Sequence, residues 1–321
     1  MSITWGPLRK DDAERWAELT AAIQVVDQDG ENYGAEDLTE SLTSPLVDLA
    51  EGTLAARDGD RLVAFAYLPI RQAAPEVHRM GLWAGVHPEH RRTGLGTRIL
   101  DWAIEAAPLL HERAYPGKPL ELQVHSRDTQ VWAAKLFESR GFAQARWFFQ
   151  MERDLATEIE PRPPVAGLRL VTWTPSRDAG ALNVRNEAFS GHWGTTPHTP
   201  ASWKEKITST RAFVPEGSFL ALDGDQVIGI LITHYFAADT AVTGVREAWI
   251  QIIGTLAPWR GRGVASALIS HALTELKSLG YGRAGLSVDA DNGTGALGVY
   301  ERSGFAVVQR TTTYTRMLTP A

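Results

Sequence analysis

The chain has 321 residues, of which 44% are apolar and 22% charged, with a formal net charge of −6. That length fits about two domains of ordinary size, and the charge balance argues against a disordered chain or a general affinity for nucleic acid or anionic membranes. Cysteine is absent, which excludes disulfides, thiolate zinc sites and cysteine nucleophiles.

Met1–Pro7 lacks a basic stretch followed by an apolar run, and no apolar run approaches the roughly 20 residues that span a bilayer. The default expectation is a soluble cytoplasmic protein. The first half alternates strand and helix signals. Val86-His87-Pro88 ends a strand and Arg91-Arg92-Thr93-Gly94-Leu95-Gly96 opens a helix, which Pro108 is expected to interrupt. Phe137-Glu138-Ser139-Arg140-Gly141-Phe142 closes a shorter helix. His87 and His90 lack a third ligand, so no metal site is expected. The polar, Pro-rich stretch Ala156–Gly167 reads as an extended linker. The expected domains are therefore 1–156 and 167–321, joined by a linker at 157–166.

In the second half Leu168–Trp173 reads as a strand and Ser176–Phe189 as a helix. Ser218–Leu222 and Gln226–Tyr235 form a hairpin across Asp223-Gly224-Asp225. Glu247–Leu256 is a long strand. Gly263–Leu279 carries Val264, Leu268, Ala272, Leu276 and Leu279 as a helical stripe ending at Gly280. Ala284–Asp289 is a strand, Thr294–Arg302 a short helix, and Val307–Met317 a final strand.

The two halves repeat one another. Arg260-Gly261-Arg262-Gly263-Val264-Ala265 matches the glycine-bearing turn at Arg91–Gly96, offset by 169 residues. Tyr300-Glu301-Arg302-Ser303-Gly304-Phe305 matches Phe137–Phe142, offset by 163. Such a spacing indicates domain duplication rather than a solenoid.

A strand, a glycine-rich turn and then a helix make an anion site. The first amides of a helix lack intrahelical partners, and the macrodipole favours negative charge there. Gly261 and Gly263 let the backbone curl closely around phosphate oxygens, and Arg260 and Arg262 add charge. The segment resembles the Q/R-x-x-G-x-G/A pyrophosphate loop of the GNAT (GCN5-related N-acetyltransferase) superfamily. Arg260, Gly263 and Ala265 fill its fixed positions in the second half, and Arg91, Gly94 and Gly96 in the first. The downstream Asn…Tyr-x-x-x-Gly-Phe element is present as Asn292…Tyr300…Gly304-Phe305. The tandem arrangement is similar to the two-domain, mycothiol synthase-like group.

This resemblance implies an α/β fold of two tandem domains, each a mainly antiparallel mixed sheet flanked by helices. It implies an N-acetyltransferase that uses acetyl-CoA or another acyl-CoA, with no metal. Direct attack by a primary amine of a small molecule is expected. A protein or peptide amine and a non-catalytic acyl-CoA sensor are the alternatives. CoA contacts are expected at Thr255, Leu256, Arg260, Gly261, Arg262, Gly263, Val264, Ala265, Ser266 and Asn292. In the first half they fall at Val86, Arg91, Arg92, Gly94, Leu95, Gly96 and Thr97.

A thiol titrates near 8.5 and a tyrosine near 10, so a tyrosine beside the sulfur can donate as the thiolate departs. Tyr300 occupies that position. The first half has Phe137 there, which implies a domain able to hold CoA but lacking this acid. Glu247, Trp249, Gln251, Ile253 and Thr255 share one strand face by alternation, with Glu247 a candidate base through water and Gln251 an orienting group. Asp289 is a candidate for the ammonium form, and His192 and Trp193 for the acceptor site.

Overall fold

The computed structural model describes residues 3–28, 30–71, 73–163, 165–291 and 295–318. These fall into two compact units, Met1–Arg146 with Thr311–Ala321, and Trp147–Arg310.

Along the chain the first part holds β1 (Ile3–Gly6), α1 (Ala13–Asp27), α2 (Ala35–Thr43), β2 (Thr53–Asp58), β3 (Arg61–Tyr67), β4 (His78–Gly81), β5 (Trp83–Val86), α3 (Leu95–Ala114), β6 (Leu120–Arg127), α4 (Val131–Ser139) and β7 (Ala143–Asp154). The second part holds β8 (Leu168–Thr172), α5 (Asp178–Ala188), α6 (Pro200–Trp203), β9 (Phe219–Asp223), β10 (Gln226–His234), α7 (Ala237–Thr243), β11 (Glu247–Thr255), α8 (Val264–Ser278), β12 (Arg283–Asp289), α9 (Ala296–Arg302) and β13 (Ala306–Met317).

Within the first unit β1-β2-β3-β5 form one sheet, and β4-β6-β13 lie side by side in another. Within the second the order is β7-β12-β11-β10-β9-β8. The mixed α/β fold read from the sequence is present in both. The division of the chain differs from a simple cut at the linker. Phe148–Asp154 of β7 runs antiparallel to Asp289–Arg283 of β12, so this stretch of the strand belongs to the second unit. Thr311–Met317 of β13 runs antiparallel to Arg127–Glu121 of β6 and completes the first unit. A fragment 1–156 would therefore lack the strand that covers one edge of β6. Nothing local in either strand says which ladder it joins, because main-chain donors and acceptors are the same for every residue.

In the second unit β10 is almost wholly apolar and buried from Val227 onward, as a strand covered on both faces should be. The stripe Val264, Leu268, Ala272 and Leu276 of α8 is buried against the same core. In the first unit α3 continues unbroken through Pro108 to Ala114, against expectation. Proline removes one intrahelical bond, while Ile99, Leu100, Ala103, Ala107 and Leu110 hold the helix on the core along its length.

Two buried histidines make stability depend on pH. His78 in β4 is fully buried, its Nδ1 2.9 Å from Nδ1 of His111. Burial first, then His111 and Arg71, pushes it down to about 4. His234 at the end of β10 donates through Nε2 to the Ile207 carbonyl, and burial pushes it to about 4 as well. An unfolded histidine titrates near 6.5, so between pH 6.5 and 4 the unfolded chain binds more protons. Stability is then complete above pH 6.5 and falls as the pH drops toward 4, by up to about 3 kcal/mol per histidine. Urea midpoints from pH 7.5 to 4.5 should decline, with a shallower decline in His234→Gln. Identical declines in the two proteins would remove His234 from this effect.

Candidate active site

The site begins where two strands part. Parallel pairing of β11 with β12 covers only Glu247–Trp249 against Arg283–Gly285. Beyond that, β11 keeps β10 on its other side and β12 keeps β7, and the two edges between them diverge. A bulge at Gln251 accompanies the change: Ile252 faces Ile232 and Ile250 faces Thr233, with Gln251 the extra residue. Bulges bend a strand and re-aim its side chains.

The gap holds a cavity of about 620 Å³. The first turn of α8 borders it through Gly261, Gly263, Val264, Ala265 and Ser266, and β11 borders it through Ile250, Gln251 and Ile253–Thr255. Val299, Tyr300 and Arg302 face it from α9, and Asp289 from β12. Phe148, His192, Trp193 and Thr195 complete the wall, with the Phe148 and Trp193 rings 6.4 Å apart.

Gly263 caps α8 at φ +86, a left-handed conformation natural to glycine. A Cβ there would find only Val165, at 4.0 Å, so the space beside this cap is open. Arg260 does not point freely at this space. Its Nε donates to Thr255 O (3.1 Å) and its Nη2 to Ala188 O (2.9 Å), tying the loop to the strand and to the end of α5. Arg262 lies 4.9 Å over the Trp259 ring and Leu256 is buried in the core. Neither is among the residues lining the cavity. Thr255 lines the cavity, and its hydroxyl is buried without a hydrogen-bond partner. Asn292 lies outside the described residues.

Tyr300 sits on the cavity with its ring edge-on to Phe305, 6.2 Å away. Burial pushes its hydroxyl up to about 12, which keeps it protonated at neutral pH and able to donate. Glu247 keeps the alternating face expected of it but stands apart from the cavity. It precedes the bulge, lies over Gly285, accepts from Arg283 and does not line the cavity. Burial raises its carboxyl despite Arg283, yet the group is committed to that ion pair. Asp289 is the one carboxylate among the described lining residues. Gln251 borders the cavity and accepts from Trp249 Nε1 at 3.0 Å.

Residues 181–305 match the model of the Acetyltransferase (GNAT) family, and residues 50–144 that of an Acetyltransferase (GNAT) domain. A mycothiol acetyltransferase of Mycolicibacterium vanbaalenii is 33% identical over 242 residues, 71% of this chain and 72% of that one. The chain belongs to the GNAT acetyltransferase family. A second mycothiol acetyltransferase, from Thermobispora bispora, is 31% identical over 77% of this chain and 78% of its own. Two solved structures share the fold. A GCN5-related N-acetyltransferase from Sphaerobacter thermophilus superposes with TM-score 0.80 at 24% identity, covering 99% of this chain and 96% of that one. A tandem GNAT protein from the clavulanic acid biosynthesis pathway gives 0.76 at 16% identity over the whole of both chains.

The chain is thus a tandem GNAT N-acetyltransferase, and enzymes of this kind use an acyl-CoA cosubstrate. The residues present fit one: the first turn of α8, the β11 edge beyond its pairing with β12, and Thr255, whose buried hydroxyl has no hydrogen-bond partner, border the same cavity. Among the described residues no His/Cys/Asp/Glu group could hold a metal ion, and no helix is long and apolar enough to cross a membrane.

The first GNAT unit repeats the loop down to its hydrogen bonds. Arg91 Nε donates to Val86 O at 3.2 Å, as Arg260 does to Thr255 O. Gly94 caps α3 at φ +90, and Leu95, Gly96 and Thr97 form the first turn. The surroundings differ. Arg91 makes a bidentate pair with Asp27 (2.7 and 2.8 Å) and lies 5.4 Å over the Trp132 ring. Arg92 takes φ +62 where the second unit has Gly261 at φ +72, a left-handed conformation unfavourable for a residue with a Cβ. Phe137, at the place of Tyr300, packs against Phe142 and Tyr314.

Sequence reasoning missed Phe148 and Arg302. Phe148 precedes the linker and reaches the cavity only because β7 pairs with β12 opposite Asp289. Arg302 was legible only as part of the Tyr300…Phe305 element.

Proposed function

We propose that this protein transfers an acetyl group from acetyl-CoA to a primary amine of a small molecule, by direct attack in the second unit. The observation that carries this reading is the single cavity joining the α8 amino terminus, the open edge of β11 and Tyr300. In this reading the pyrophosphate lies on the α8 amides, where dipole and unpaired donors favour anions. The amine nitrogen attacks the thioester carbonyl, the C–S bond breaks, and the sulfur takes a proton from Tyr300 Oη. Asp289 holds the ammonium form of the acceptor, and one proton leaves through water to free the amine for attack. The proton released as the amide forms returns through water to the Tyr300 oxygen. Trp193 and Phe148 wall the acceptor. The first unit holds Phe137 at the acid position and does not take part in chemistry.

The relatives named mycothiol acetyltransferases make their amine acceptor the first to assay. The full chain, given acetyl-CoA and a panel of small amines including that acceptor, should release free CoA thiol and yield an acceptor heavier by one acetyl group. Tight CoA binding with no transfer across the panel and across peptide amines would instead make this a CoA-binding protein.

A further inference from the structure

The helix that carries Tyr300 is short. α9 has seven residues, and so short a helix does not hold its shape or place by itself. A group that must meet a reacting sulfur needs a position good to about half an ångström, so its anchors matter. One is Phe305, buried and against the Tyr300 ring. Another is Arg153, on β7.

Arg153 is 9% exposed. Its Nη1 donates to the carbonyl of Ser303, the residue capping α9, and its Nη2 to Glu158 O at 2.7 Å. Its Nε is buried without a partner. Gly304, at φ +81, leaves room for it, since a Cβ there would collide with the guanidinium. A cation at a helix carboxyl end meets the negative end of the dipole and an unsatisfied carbonyl. Burial of this arginine opposes its charge, so a leucine would pack here at less cost; what the arginine adds is the fixed carbonyl.

The first unit has the same device. Arg316, 163 residues after Arg153, donates to Arg140 O at 2.6 Å, and Arg140 caps α4 just before Gly141-Phe142. There the helix carries Phe137. We propose that Arg153 is a positioning residue for Tyr300, fixing the end of α9 so that the tyrosine hydroxyl meets the departing sulfur. The proposal rests on Tyr300 being the proton donor, and the two can fail separately.

The test is a double-mutant cycle on the full chain, read by single-turnover acetyl transfer and by KM for acetyl-CoA. Arg153→Met should slow the chemical step about 10- to 100-fold, the scale of a reacting group displaced by about an ångström, with KM within about twofold. In a Tyr300→Phe background the same change should cost almost nothing more, because there is no hydroxyl left to place. Arg153→Lys, which keeps a cationic donor, should recover part of the rate and serves for the same cycle if the methionine variant does not fold. Arg316→Met removes the matching bond in the first unit and should leave the chemical step at wild type. A wild-type rate in Arg153→Met, an equal loss in both backgrounds, or an equal loss in Arg316→Met would overturn the proposal. A wild-type rate in Tyr300→Phe would instead remove the acid itself, and this role with it.

Discussion

Tyr300→Phe is expected to lower the rate of acetyl transfer by about 10²–10⁴-fold, or roughly 3–5 kcal/mol of barrier, the usual cost of a lost positioned acid. Acetyl-CoA affinity should stay nearly unchanged, since the ring that packs on Phe305 is retained. The hydroxyl is suited to the task by its surroundings. Burial holds it protonated up to about 12, so at neutral pH the proton is present until charge develops on sulfur. The donor's own titration should therefore not limit activity between pH 7 and 9. The decisive measurement is a single-turnover rate with the acceptor amine, because slow product release would hide the effect in steady state. Wild-type chemistry in a folded Tyr300→Phe protein would assign protonation of the thiolate to water.

Gly263→Glu is expected to weaken acetyl-CoA binding by about 10²-fold or more, roughly 2.7 kcal/mol. Two effects act together. A carboxylate is brought to the helix end where the pyrophosphate is proposed to lie, and the backbone at φ +86 tolerates a Cβ poorly. Gly263→Ala separates them, since it carries the backbone strain without the charge and should lose much less affinity. Calorimetry with the full chain reads both. Unchanged affinity in Gly263→Glu would move the phosphate site away from α8.

The loop and the tyrosine were legible because their signals are local. A glycine that must adopt positive φ at a helix cap, an arginine three residues before it, and a tyrosine five residues before a phenylalanine are statements about neighbours in sequence. The duplication was legible for the same reason, and the structure repeats it in the bonds from Arg91 to Val86 O and from Arg260 to Thr255 O. The role expected of Arg260 was less so. Its charge suggested phosphate, whereas its hydrogen bonds go to two carbonyls, one of them supplied by a helix end 72 residues earlier.

The amino-acid sequence by itself determined the two-fold GNAT organisation, the glycine-capped start of α8 and the unequal halves, Tyr300 against Phe137. The tertiary structure alone decided which strands complete each unit, where β11 leaves β12, and which side chains border the opening. Alternation put Glu247 on the same face as Gln251 and Thr255, but Glu247 pairs with Arg283 and does not line the cavity, while β7 brings Phe148 in. The physical reason is that a strand's partner and its point of divergence are chosen by packing between distant segments. Backbone hydrogen-bonding groups carry no residue identity, so that choice leaves no mark on the local pattern.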